Sequence, residues 1–244
     1  MRIAICGCGV VGRATGEGFA RLGHEVFTYD TSPERAQVPW GQALKAPRSP
    51  DSCDVVFFCT PEEAAPQAVR EWVGPELRVV RSSTMPGTVR GLEGELGRPV
   101  VHNPELLREV TALGDFLNPS YILIGRSDGA STRPLEDLYR PFQAPIVFTD
   151  QTTSEMVKLA TNGILSTLIA YWMDVDQLCG HLGISSHEVG MIASRDPRVP
   201  TYGARQHNEY GGRCLPKDMR HLLDLAERLK TKVPVLRGAK EWSA

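Results

Sequence analysis

Six residues near the start constrain the fold more than any others in the chain: Gly7-Cys8-Gly9-Val10-Val11-Gly12, a G-x-G-x-x-G. Alone, that pattern is weak. Here it follows the short apolar run Ile3-Ala4-Ile5-Cys6, a buried strand by length and flanks, and it opens a helix over 14–22 that Gly23 closes. Glu25 to Tyr29 reads as a second strand, with Asp30 at its end, eighteen residues beyond Gly12. Strand, glycine turn, helix, strand and terminal acid together predict a dinucleotide-binding unit. The glycines permit a tight turn and close approach of a pyrophosphate, and the helix N-terminus offers amide donors and a favourable dipole. A carboxylate at position 30 suits a ribose diol and repels a 2′-phosphate. The expected cofactor is therefore NAD rather than NADP, held by Gly7, Gly9, Val10, Val11, Gly12 and Asp30. A glycine-rich strand–helix turn with no ligand is the plain alternative.

The rest of the first half keeps alternating. Residues 31–50 read as loop with a short helix, and 54–59 as a buried strand ending in Thr60-Pro61. A helix over 62–73 is either kinked or late to start because of Pro66. A strand over 77–81 ends in Ser82-Ser83-Thr84, a helix covers 88–96, and Val100-Val101 leads into His102-Asn103-Pro104-Glu105 before a strand over 121–124. This predicts an α/β fold: a Rossmann-like parallel sheet wound on both faces over 1–150. Ligands of such sheets sit beyond the carboxyl ends of strands, where Thr60, Pro61, Ser83, Thr84 and Glu105 fall. Thr60, Pro61, Ser83 and Thr84 are accordingly expected at the cofactor.

Residues 151–244 read as an all-helical domain. From Thr152 to about Leu182 no proline interrupts apolar residues at helical spacing (Met156, Leu159, Ala160, Ile164, Leu165, Leu168, Ile169, Trp172), which predicts one long central helix. Glu155, Lys158 and Asn162 share one stripe of it, either as a solvated face or as a functional one. Ser185-Ser186-His187-Glu188 reads as a capped helix start. Arg195, Arg198, Arg205 and His207 mark a long functional loop, and Met219 to Lys230 a helix with Leu222, Leu223, Leu225, Ala226 and Leu229 inward. Between them lies Tyr210-Gly211-Gly212-Arg213-Cys214-Leu215-Pro216-Lys217-Asp218. A thiol beside cations and a close-approach glycine pair is a candidate for covalent catalysis; a buried structural cysteine in a glycine-rich turn is the alternative.

Net charge is −2 with both signs interspersed, which leaves no electrostatic footprint for nucleic acid or an anionic membrane. The six cysteines show no paired C-x-x-C spacing, so reduced thiols in a cytoplasmic protein are expected and a metal site is not.

Several separated motifs resemble the UDP-glucose/GDP-mannose dehydrogenase family, in the family's order from end to end. They are the glycine fingerprint, Ser83-Thr84, Asn103-Pro104-Glu105-Leu106-Leu107-Arg108-Glu109, Glu155-Met156-Val157-Lys158 with Asn162, and Gly211-Gly212-x-Cys214-x-Pro216-Lys217-Asp218. The resemblance implies a four-electron, NAD-dependent oxidation of a primary alcohol to a carboxylate without release of the aldehyde. It implies Cys214 as nucleophile, Lys158 and Asn162 as oxyanion donors, and Glu105 as base for thioester hydrolysis. Asp218 would orient water or Lys158, and Thr84 would position the water. It also implies a homodimer built on the helix over 152–182. Substrate contacts are expected from Glu105, Leu106, Leu107, Glu109, Lys158, Asn162, Tyr210, Gly211, Gly212 and Arg213, with Arg198 and Arg205 for an anionic group. Two departures stand out. Arg213 occupies a position where the family has a small residue, and Ala244 falls where the family continues into a nucleotide-sugar-binding domain. A naturally short form is expected, with a fragment as the alternative. A single-step dehydrogenase resembling the β-hydroxyacid dehydrogenases, or a non-catalytic NAD-binding protein, are the other readings.

Overall fold

The structure, a computed structural model, describes residues 1–74, 76–204 and 212–243; Arg205, His207, Tyr210 and Gly211, named above, lie outside the described residues. Two compact units emerge, Met1–Lys158 and Leu159–Ala244, so the division falls inside the long helix.

The first unit carries eight strands and the helices between them. In chain order they are β1 (Arg2–Cys6), α1 (Val10–Arg21), β2 (Glu25–Tyr29), α2 (Pro33–Ala36), β3 (Gln42–Ala43) and β4 (Val55–Phe58). Then come α3 (Ala65–Glu71), β5 (Leu77–Val80), α4 (Thr88–Leu96), β6 (Val100–His102), a 3-10 turn (Glu109–Thr111), α5 (Ala112–Leu117), β7 (Ile122–Gly125), α6 (Arg133–Tyr139) and β8 (Ile146–Thr149). The sheet order is β3-β2-β1-β4-β5-β6-β7-β8. Strand order reverses between β1 and β4, and the glycine loop leaves β1 at that switch point, the place where doubly wound sheets bind ligands.

Alternation along the strands builds two cores. Val55 and Phe57 join Ile3, Ile5, Phe19, Phe116 and Leu135 on one face, while Val56 and Phe58 join Ala4, Val69, Trp72 and Leu92 on the other. Pro66 stands at the start of α3, which explains the late start.

The sheet differs from the all-parallel expectation at one place: β6 pairs β7 antiparallel, and β8 then runs parallel to β7. All four residues of β7 are buried, so its pattern carries no face preference and the strand's direction is not readable from it. Strands β3 and β8 and helices α5 and α6 are additions to the sequence reading.

The long helix α7 runs Gln151–Leu182, close to the predicted span. The second unit continues with α8 (Ser186–Ala193), α9 (Cys214–Arg228) and α10 (Pro234–Glu241). Ser185 caps α8 by accepting the Glu188 amide hydrogen, as its sequence predicts. Helix α9 starts five residues earlier than expected. Pro216 sits in its first turn, where an absent N–H removes no helical bond, so the cysteine segment is a helix start and not a loop. Leu222 and Ala226 are buried as predicted, but Leu229 is the cap residue just past α9 and is 66% exposed. On α7, Met156 and Ile164 likewise face outward. Among the described residues no helix is long and apolar enough to cross a membrane.

Candidate active site

The glycine loop has the shape a dinucleotide requires. Gly7 adopts φ +95°, and a side chain there would strike the Cys59 carbonyl at 2.8 Å. A Cβ on Gly12 would lie 1.8 Å from the Gly7 oxygen, so the third glycine lets the helix close onto the turn. Gly9, by contrast, faces open space, and no side chain caps the start of α1. Its first-turn amides at Val10, Val11 and Gly12 are therefore left for an anion. Asp30 holds the loop from β2: one carboxylate oxygen accepts the Cys8 amide at 2.8 Å and the other accepts the Ser32 amide at 2.9 Å. Two oxygens offer about four acceptor sites, so a ribose diol can still be accommodated. The Thr60 hydroxyl at the end of β4 is buried and has no partner among the described residues. An orphaned hydroxyl beside an uncapped helix start fits a bound dinucleotide. Pro61 follows on the surface, and Ser83 is buried at the end of β5.

A buried polar cluster gathers behind the ends of β5 and β6. Glu105 and Lys158 form an ion pair at 2.9 Å, with 8% and 3% of each residue exposed. Glu105 also accepts the Leu107 amide, which folds the Asn103–Glu109 segment back on itself. His102 bridges Ser154 and the Ser82 carbonyl; burial pushes its pKa down to about 3, so the ring is neutral. Leu107 is half-buried, Leu106 is 36% exposed and Glu109 is exposed.

Glu155 has a structural task that its helix stripe did not disclose. Its carboxylate accepts the Thr84 hydroxyl (2.8 Å) and the amides of Gly87 (2.6 Å) and Val89 (3.0 Å), capping α4 from outside. Burial raises its pKa while these three donors pull the other way. Thr84 thus spends its proton on Glu155 and keeps only acceptor lone pairs. Because all three contacts are donors, an amide in place of the carboxylate turns an N–H toward an N–H. Glu155→Gln is expected to cost about 1–3 kcal/mol in urea denaturation; an unchanged midpoint would show that α4 is capped some other way.

In the second unit, Asn162 donates to Asp218, which Lys217 also contacts at 2.6 Å. Asp218 is fully buried and Asn162 nearly so. The stripe of Glu155, Lys158 and Asn162 is thus an interior one, not a solvated face. Cys214, the first residue of α9, is exposed, at the helix end whose dipole favours a thiolate. Gly212 (φ +76°) and Arg213 precede it, both exposed. Arg198 lies on the surface with its guanidinium already forked onto Asp196. Sequence reasoning missed Arg81 and Tyr139, buried partners of Asn103. The available signal was a second arginine at the end of a strand that already carries Arg78.

Fold and loop together define a doubly wound α/β protein of the dinucleotide-binding class. Residues 45–143 match the model of the UDP-glucose/GDP-mannose dehydrogenase family, NAD binding domain, and residues 152–243 match that family's central domain. The chain belongs to the UDP-glucose/GDP-mannose dehydrogenase family. Residues 2–84 also match the model of the NADP oxidoreductase coenzyme F420-dependent family. The chain is 28% identical to UDP-glucose 6-dehydrogenase YwqF of Bacillus subtilis (strain 168), over 98% of its own length and 64% of that protein's. It therefore spans a little under two thirds of that relative. The structure of a UDP-glucose dehydrogenase from Pyrobaculum islandicum shares the fold with a TM-score of 0.86 at 24% identity, covering 99% of this chain and 67% of the other. A Mycobacterium tuberculosis 3-hydroxyisobutyrate dehydrogenase shares it at TM-score 0.78 and 14% identity, covering 98% and 91%.

Proposed function

We propose that the protein catalyses the NAD-dependent, four-electron oxidation of a primary alcohol to a carboxylate through Cys214, on a sugar nucleotide, sugar phosphate or nucleotide-like substrate. The observation that carries this reading is the burial of Glu105, Lys158, Asn162 and Asp218. Buried charges and amides are costly to retain, and these four stand at the positions where the family's chemistry needs donors and a base.

NAD would be held by Gly7, Gly9, Val10, Val11, Gly12, Asp30 and Thr60 and would supply the hydride acceptor for each oxidation, a second NAD replacing the first NADH between them. The chain's own residues do the rest. The first oxidation also releases the alcohol proton, taken by a base or bound water. The Cys214 thiolate forms a bond to the aldehyde carbon and makes a thiohemiacetal. Loss of a second hydride and a proton leaves a thioester. Glu105 takes a proton from water, the water oxygen bonds to the carbonyl carbon, and the carbon–sulfur bond breaks to give the carboxylate and the free thiol. Lys158 and Asn162 donate to the alkoxide and to each tetrahedral oxyanion. Lys158 has three N–H bonds, so donating to Glu105 leaves two. Asp218 orients Asn162 and Lys217. Leu106, Leu107, Glu109, Gly212 and Arg213 are assigned to the substrate, with Arg205, Tyr210 and Gly211, and Arg198 once released from Asp196.

The test is stoichiometric. Sugar nucleotides, sugar phosphates and nucleotides are screened for reduction of NAD, and NADH is counted against acid formed; two per molecule are expected. One per molecule, ending at the aldehyde or ketone, would establish the single-step reading instead.

We further propose a cytoplasmic homodimer built on α7. Met156, Ile164, Tyr171, Leu178 and Leu182 are 39–72% exposed and fall within roughly 80° of arc on that helix. Such a stripe is the pattern of a helix that lacks its partner. Light scattering is expected to give twice the chain mass and Ile164→Glu with Leu178→Glu a monomer; a monomeric wild type would remove the proposal.

A further inference from the structure

A cavity of about 360 Å³ adjoins the Asn103–Arg108 segment in the first unit, and three charged residues line it: Arg81, Arg108 and Asp115. Arg108 and Asp115 neutralise each other at 2.6 Å. Arg81 has no such partner. It is 4% exposed, and among the described residues no carboxylate lies within ion-pair distance of its guanidinium.

Neutral groups hold it in place instead. Nη1 donates to Asn103 Oδ1 (2.6 Å) and to the Tyr139 hydroxyl oxygen (2.8 Å). Tyr139 in turn donates to the same Asn103 oxygen, and the Asn103 amide nitrogen donates to the Leu123 carbonyl, so the frame is locked at both ends. Phe57 and Phe116 lie 6.0 and 5.7 Å from the cation, where their ring faces offer a weak attraction. Nε is buried without any partner. A buried cation without an anion is one of the more expensive arrangements a protein can keep, and a fixed, half-used guanidinium beside an empty volume is a receptor for one.

We propose that this cavity binds a small organic acid, its carboxylate accepting a charge-assisted hydrogen bond from the unused Nη2 of Arg81. Leu107, Phe116 and Leu123 offer apolar wall to a compact hydrocarbon body. The volume is at the small end for ligand sites and accommodates an acid of a few carbons. This site is distinct from the glycine loop and from the Glu105–Lys158 pair, and it shares Leu106 and Leu107 with the substrate contacts proposed above.

The experiment uses the full chain at constant ionic strength, with acetate, butyrate and benzoate titrated by calorimetry against butyramide and benzamide. The carboxylates are expected to bind at least about tenfold more tightly than the amides of the same shape. In Arg81→Met that preference is expected to vanish. Ser120→Trp, at an exposed lining position, should weaken every carboxylate without touching the charge. If Arg81→Met does not fold, methyl NMR on the wild type decides: butyrate should shift Leu107 and Leu123 and leave Leu92, in the opposite core, unmoved. Equal binding of acids and amides, undiminished carboxylate binding in Arg81→Met, or shifts confined to other methyls would overturn the proposal.

Discussion

Cys214→Ser is expected to halt the reaction before the acid. The serine hydroxyl stays protonated at neutral pH, whereas a thiol at a helix start is readily held as thiolate. Acid formation should fall by on the order of a thousandfold, about 4 kcal/mol of barrier, and NADH per substrate should drop from two to one or fewer. No other cysteine is placed to stand in. Cys6, Cys8, Cys53 and Cys179 are buried, and burial pushes the Cys8 and Cys53 thiols up to about 11 and that of Cys59 to about 12. Mass spectrometry of the product, alongside the NADH count, reads both effects. Undiminished acid at two NADH from the serine variant would end the thioester mechanism and move attention to direct hydration of an aldehyde.

The fold of the first unit was legible because its signals are local. The glycine loop, the buried runs at β1, β4 and β5 and the terminal acid of β2 each declare themselves within a few residues, and winding on both faces follows from their alternation. What escaped was what locality does not encode. The reversal of β7 is a choice between neighbours in space, and a fully buried strand reads the same in either direction. Glu155 shows the same limit at the level of a side chain. Its place on a stripe with Lys158 and Asn162 was clear, yet its partners lie 66 to 71 residues earlier, and only the fold shows that it caps α4. Cys214 was misplaced by a different rule. Reading the Gly-Gly stretch as a turn delayed α9 by five residues, although Pro216 is at home in a first helical turn.

The second large effect concerns stability and follows from burial rather than chemistry. Lys158→Met is expected to destabilise the protein by about 3–5 kcal/mol, because it strands the Glu105 carboxylate in the interior without its cation. The side chains are 4% and 10% exposed, so water cannot compensate as it would at the surface. Arg70 and Glu95 provide the contrast: they meet at 2.7 Å, closer than Lys158 and Glu105, but both are about half exposed, and Arg70→Met should leave stability almost unchanged. The double variant Lys158→Met/Glu105→Leu separates the two components of the cost. Replacing both charges with apolar side chains removes the stranded group, so most of the stability should return while the proposed oxidation stays abolished. That outcome would mean the pair is kept for what it does to substrate and not for what it adds to the fold. A Lys158→Met loss under about 1 kcal/mol would instead place the pair in water, as a surface pair behaves. A double variant no more stable than the single one would make Lys158 itself, through the packing of its methylene stem, the structural element.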